Sequence, residues 1–377
     1  MILTKLFSDF FNSERSSGII LICCTIFSLV VTNIFPPYLE FWHIEFAGHH
    51  ITHWINDGLM TIFFLLIGLE LEREVYIGEL SDIKSALLPA LAALGGMVLP
   101  ASIYFLVNMN GGNMRGVGIP MATDIAFALG VLSLLGKRVP TSLKIFLTAL
   151  AVIDDLGAIL VIAIFYTSTL SWLNLGMAFG ILLLLFAFNR LKIHSPWPYL
   201  IGGVVMWYFM LHSGVHATIT GVLVAFAIPF GKGTEHTLSY RLQHFLHKPV
   251  AFFILPLFAL ANTSIPISSD FYYALGGAVS LGIIGGLLIG KPVGIVLFSY
   301  ATVKLKLSSL SPDISWKHII GAGILGGIGF TMSIFISLLA FDSEVFIDQA
   351  KIAIMLVSTV SGIIGFLYLK SVLKKSE

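Results

Sequence analysis

Between Ile145 and Tyr166 the chain carries no charge except two adjacent carboxylates, in the stretch Ala151-Val152-Ile153-Asp154-Asp155-Leu156-Gly157. A run of about 20 apolar residues, rising ~1.5 Å per residue as a helix, is long enough to cross a bilayer, and this one holds its aspartates near mid-depth. Ionised carboxylates there cost roughly 3 kcal/mol each on insertion scales, so a chain that keeps two of them uses them. The competing reading, a short buried helix in a water-soluble globule, fails on composition. With 57% hydrophobic residues, 11% charged residues and a mean hydropathy of +0.96, the 377 residues lack the polar surface to cover a globule of 41.0 kDa. A formal net charge of +1 offers no electrostatic footprint for nucleic acid.

The apolar segments are continuous runs rather than ten-residue alternations, which selects helices over a barrel. The expected fold is an all-α polytopic membrane protein, one integral unit over residues 1–377. Apolar runs and their polar breaks predict about twelve spans. They start near Gly18, Gly58, Ala86, Arg115, Thr141, Trp172, Trp197, Val215, Pro249, Tyr272, Lys317 and Gln349. The run from Gly18 to Phe35 follows Lys5 and Arg15 as a signal sequence would, but no small-residue cleavage site follows it, so it is expected to remain as the first span. Cys23 and Cys24 are adjacent inside that run and cannot staple a fold. With the N-terminus cytoplasmic, all of the 21 Lys and Arg fall on the inner side except Arg115, Lys351 and the intramembrane Lys291. That asymmetry predicts an even number of spans and both termini inside. Residues 41–54 then lie outside, where Trp42-His43-Ile44-Glu45-Phe46 alternates before Ala47-Gly48 and His49 to Trp54 return, a pattern that suits a hairpin or, equally, a disordered loop.

Two spans are interrupted alike. The fourth reads Gly116-Val117-Gly118-Ile119-Pro120-Met121-Ala122-Thr123-Asp124, and the eleventh reads Gly321-Ala322-Gly323-Ile324-Leu325-Gly326-Gly327-Ile328-Gly329-Phe330-Thr331-Met332-Ser333. Glycine in a membrane helix commonly serves close packing. Two such segments in corresponding positions of two halves point instead to discontinuous helices around a midplane ion site. Their N-terminal half-ends carry partial positive charge and their C-terminal half-ends partial negative charge. Asp124 is placed to face the positive ends. Lys291, in Gly290-Lys291-Pro292, is the cation at depth and is placed to serve the negative ends or to pair with Asp154. Snorkelling suits it poorly, with about seven apolar residues on either side. At the inner end of the second span Glu70, Arg73 and Glu74 share a face by their spacing, which predicts ion pairing at a cytoplasmic mouth.

These segments, with Asn56-Asp57-Gly58, Gly214-Val215-His216-Ala217-Thr218 and Leu255-Pro256-Leu257-Phe258-Ala259, resemble the bacterial NhaA family of sodium/proton antiporters, in order from about Arg15 to Gly365. The resemblance implies twelve helices, with spans three to five and ten to twelve as an inverted repeat. It implies exchange of cytoplasmic Na+ or Li+ for external H+ across the inner membrane, with no cofactor, and a homodimer joined through the external hairpin. It also carries over Asp154 and Asp155 as the ion and proton site, with Thr123, Asp124 and Lys291 supporting it. The chain departs from the family at Gln243, in Arg241-Leu242-Gln243-His244-Phe245-Leu246-His247, where a glutamate associated with pH response is common. Gln243, His244 and His247 join Glu70, Arg73 and Glu74 as the residues of a candidate pH-responsive mouth.

The chemistry needs only competition. A hard monovalent cation wants oxygen ligands, and carboxylates bind it only when ionised, so protons and the cation expel one another. Adjacent helical residues point about 100° apart, so Asp154 and Asp155 face different surroundings while titrating as one coupled site. Loss of two protons per bound Na+ makes the exchange electrogenic. An intramembrane aspartyl protease also holds two carboxylates at depth, but its acids converge from different spans, and Lys291 and the paired breaks have no part in it. A sodium-coupled symporter of an organic solute on a similar fold competes more strongly, and an ion channel is the third alternative. No cluster of donors for an organic solute stands beside the carboxylates, which favours exchange over symport.

Overall fold

A computed structural model describes residues 2–167, 170–267 and 275–373, without side-chain detail for residues 2–15 and 79. The expected start near Tyr272, and Lys374 and Lys375 of the charge count, lie outside the described residues.

The chain runs through α1 (Ile2–Ile34), the short α2 (Pro37–Trp42) and a hairpin of β1 (Glu45–Phe46) and β2 (His49–His50). Glu45 pairs with His50 and Phe46 with His49 around Ala47 and Gly48, both at positive φ, the two-residue turn that suits a right-twisted ribbon. Helices α3 (Ile51–Tyr76) and α4 (Ile83–Asn108) follow. Next come a 3-10 segment (Met114–Met121) and α5 (Ile125–Ser133), then α6 (Thr141–Phe165), α7 (Trp172–Arg190), α8 (Trp197–Leu211) and α9 (Ile219–Ala227). The chain continues through α10 (Leu238–Asn262) and α11 (Ala278–Lys304), then α12 (Trp316–Gly326), α13 (Phe330–Ala340) and α14 (Glu344–Val372). Among the described residues nine helical segments are long and apolar enough to cross a membrane, or ten if α12 and α13, bent by 44°, count as one.

Three boundaries differ from the sequence expectation for identifiable reasons. The span expected near Pro249 begins at Leu238: the helix runs through Pro249, whose missing N–H leaves the Phe245 carbonyl without its helical donor, and continues as a π-helical stretch at Val250–Ile254. The span expected from Gly58 begins at Ile51: Asn56-Asp57-Gly58 lie within a π-helical turn, Trp54–Leu59, where His53 Nδ1 meets Asp57 Oδ2 at 2.9 Å. Near Val215 the regular helix is only α9, nine residues long.

The exterior is apolar where a soluble protein would be charged: Trp172 is 75%, Ile164 70% and Leu183 69% exposed, a belt stable against lipid. The tightest helix contact inside joins α4 to α11. Gly95 and Gly294 meet backbone to backbone there, and a Cβ on either would collide with the carbonyl oxygen of the other. This contact brings Lys291, four residues short of Ile295, against the 3-10 segment that leads into α5.

Candidate ion-binding site

The two irregular elements meet at their breaks. After the 3-10 segment, residues 122–124 are extended before α5 begins, and Gly327–Gly329 separate α12 from α13. Asp124 N–H donates to the Ile328 carbonyl at 2.7 Å, and Ser333 Oγ donates to the Ile119 carbonyl at 2.8 Å, so each break satisfies the backbone of the other. Phe330 N–H, at the start of α13, donates to Ser358 Oγ of α14 at 3.1 Å.

Asp124 caps two helices at once. Its Oδ1 accepts from Phe127 N–H in the first turn of α5 at 2.9 Å, and its Oδ2 accepts from Thr331 N–H in the first turn of α13 at 2.9 Å and from the Thr331 hydroxyl. A carboxylate 1% exposed thus faces two positive helix ends. The negative ends are served separately. Lys291 Nζ donates to the Met121 carbonyl that closes the 3-10 segment, and Thr123 Oγ1 lies 3.0 Å from the Gly326 carbonyl that closes α12.

Lys291 also pairs with Asp154, Nζ to Oδ2 at 2.7 Å, both side chains fully buried. Thr123 Oγ1 reaches the same Oδ2 at 2.7 Å. One hydroxyl proton serves either Asp154 or the Gly326 carbonyl, so this threonine can answer a change in the charge on Asp154. The remaining oxygens stand differently. Asp154 Oδ1 and both carboxyl oxygens of Asp155 are buried without any protein hydrogen-bond partner. Buried carboxylate oxygens are nearly always satisfied, so three on neighbouring residues require a proton, a cation or water.

The residues grouped at the mouth fall on α3 and α10. Glu70 and Gln243 are half-buried on these helices, the Arg73 guanidinium sits 5.5 Å from the Tyr240 ring centroid, and His244 stacks on that ring at 6.3 Å with planes 4° apart. Glu74 and His247 are half-buried on the same two helices. Glu72, which the three- and four-residue spacing of Glu70, Arg73 and Glu74 leaves out, is buried and receives a hydrogen bond from Ser239 at 3.3 Å. Sequence reasoning also gave Thr331 no role, although its place one residue after a glycine break was the available signal.

Fold and site together define a polytopic helical membrane protein organised around a buried, charge-compensated carboxylate centre. The family model described as Na+/H+ antiporter 1 matches residues 8–369. The Na(+)/H(+) antiporter NhaA of Flavobacterium psychrophilum is 62% identical over 378 residues, covering 100% of this chain and 98% of the relative. That of Cytophaga hutchinsonii is 58% identical over 377 residues, covering 100% and 97%. Among solved structures, the sodium proton antiporter MjNhaP1 of Methanocaldococcus jannaschii shares the fold at a TM-score of 0.57 and 14% identity, over 97% of this chain and 100% of that one. The chain belongs to the Na+/H+ antiporter 1 family.

Proposed function

We propose that the protein exchanges cytoplasmic Na+ or Li+ for external protons, with Asp154 and Asp155 as the site for which cation and protons compete. The observation that carries this reading is the trio of unpartnered buried oxygens, Asp154 Oδ1 and the two of Asp155. They supply a hard cation with the ligands it prefers, and they accept protons in its absence. Asp154 is already balanced by Lys291, so Asp155 carries the uncompensated charge and must hold either a proton or Na+ to cross the hydrocarbon. Electrogenic exchange needs a second proton per Na+, and the Lys291–Asp154 pair is the further place at the site from which one can leave. Asp124 and Thr123 take no cation in this scheme; they hold the two breaks together while access alternates.

On this reading the chain crosses the membrane twelve times, the nine long helical segments and the bent pair being joined by the shorter α8 and by the region of α9. The reciprocal contact of Gly95 with Gly294 fits an inverted repeat of spans three to five and ten to twelve, whose middle members are the two broken elements. The distribution of Lys and Arg favours both termini in the cytoplasm, the likeness to bacterial antiporters favours the inner membrane, and the unpaired edge of the β1–β2 hairpin gives two copies a means to dimerise. The test is Na+-dependent dissipation of an imposed pH gradient in proteoliposomes. Wild type should collapse the gradient on addition of Na+, and Asp155→Asn, which disturbs no hydrogen bond to the protein, should fold and fail to do so. Wild-type-like exchange by that variant refutes the scheme.

A further inference from the structure

Several helical threonines in this molecule commit their hydroxyls to their own backbone. Thr25, Thr32, Thr302 and Thr359 each donate to the carbonyl four residues earlier at 2.7–2.8 Å. That is the ordinary way for threonine to satisfy itself where water is scarce. Thr148 of α6, like Thr220 in the first turn of α9, does otherwise: among the described residues its Oγ1 is shielded from solvent yet makes no hydrogen bond, although the Lys144 carbonyl stands at the same spacing. A hydroxyl that leaves that acceptor unused is turned away from it and is free to present a lone pair or its proton.

Thr148 precedes Asp155 by two turns, about 10 Å along the axis and within about 20° around it, so the two share a face. Ala151, fully buried, lies between them on that face with the smallest of side chains. Helical side chains lean toward the N-terminus, which carries the Asp155 carboxylate back over Ala151 toward Thr148. An unpartnered carboxylate and an unpartnered hydroxyl therefore lie on one face of α6, with Ala151 and Val152 in the turn between them. Helix α3 packs against α6, and Glu70 lies toward the C-terminal end of α3. Glu70 stands six residues before the end of α3 at Tyr76 and Thr148 seven after the start of α6 at Thr141, which sets them at similar depth on antiparallel spans, with Asp155 deeper.

We infer that Thr148 is a positioning residue on the cation's route, its hydroxyl holding the water of a partly hydrated Na+ one step short of Asp155, on the Glu70 side. The inference rests on the antiport reading above. Its test compares Thr148→Val, which matches the shape and removes only the hydroxyl, with Thr148→Ser, which keeps it, across Na+ concentrations spanning KM in the same proteoliposome assay. The valine variant should raise KM for Na+ about three- to tenfold, the worth of one hydrogen bond net of water, with a maximal rate within about twofold of wild type. Serine should restore KM, and thermal stability of the valine variant should stay level or rise, since an unpaired buried hydroxyl is gone. Thr148→Ala carries the same expectation for KM should valine impair folding. A wild-type KM in the valine and alanine variants overturns the inference, as does a loss of maximal rate with lower stability that serine does not rescue. Failure of wild type itself to respond to Na+ would sink the antiport reading instead, so the two failures are distinguishable.

Discussion

Lys291→Met is the perturbation whose size follows most directly from the site. Methionine keeps the length and much of the volume of the side chain, so the change removes a charge and its donors rather than opening a cavity. Two partners are stranded: Asp154 Oδ2, left with the Thr123 hydroxyl alone, and the Met121 carbonyl at the end of the 3-10 segment. Removing one partner of a fully buried pair costs about 3–5 kcal/mol, because the survivor remains charged without compensation. At ~2 °C per kcal/mol for a chain of this length, the melting temperature should fall by about 6–10 °C at pH 8.5. The sign of the pH dependence follows from the survivor. Protons added at low pH neutralise Asp154 in the variant and relieve the stranded charge, so the gap to wild type should narrow from pH 8.5 toward pH 5. Adding Asp154→Asn should recover most of the loss, since the double variant has no charge left to compensate. Fluorescence-detected unfolding in detergent at the two pH values reads all of this. A single variant that melts with wild type at pH 8.5, or a double variant no more stable than the single, refutes the claim that Lys291 compensates anything buried.

Under competition at Asp154 and Asp155, raising the pH from about 6.5 to 8.5 should increase apparent Na+ affinity by deprotonating the site. Gln243→Glu should then move the midpoint of that response by less than about half a unit; a shift of a unit or more means that the Glu70 mouth governs access, a role open to a cluster that contains imidazoles. Deleting residues 43–50, which removes both strands and the turn, should yield monomers in detergent that still exchange Na+ for H+. A deletion protein that remains dimeric in cross-linking or native mass spectrometry rejects the hairpin as the dimer contact.

How much of this was legible in the sequence depended on whether a residue's chemistry or its direction carried the information. Asp154, Asp155 and Lys291 could be singled out because ionisable groups at mid-depth are too costly to be incidental, and Asp124 because a carboxylate beside two helix breaks has positive ends to face. The fold class followed from composition and run length. What could not be read was supplied by backbone or by rotamer. The carbonyls of Met121, Gly326 and Ile328 accept the hydrogen bonds that join the two breaks, and a carbonyl has no letter in a sequence. A proline usually ends a helix, so Pro249 reads as a start, yet α10 passes through it and on into a π-helical stretch. Threonine shows the limit most sharply. Thr302 bonds its own helix, Thr331 donates to a carboxylate on another element, and Thr148 does neither, yet the three carry the same side chain in apolar surroundings. A χ1 rotation decides between these fates, and it is chosen by neighbours that lie far away in sequence. Residue type therefore marks where charge must be answered, while packing decides which neutral oxygen answers it.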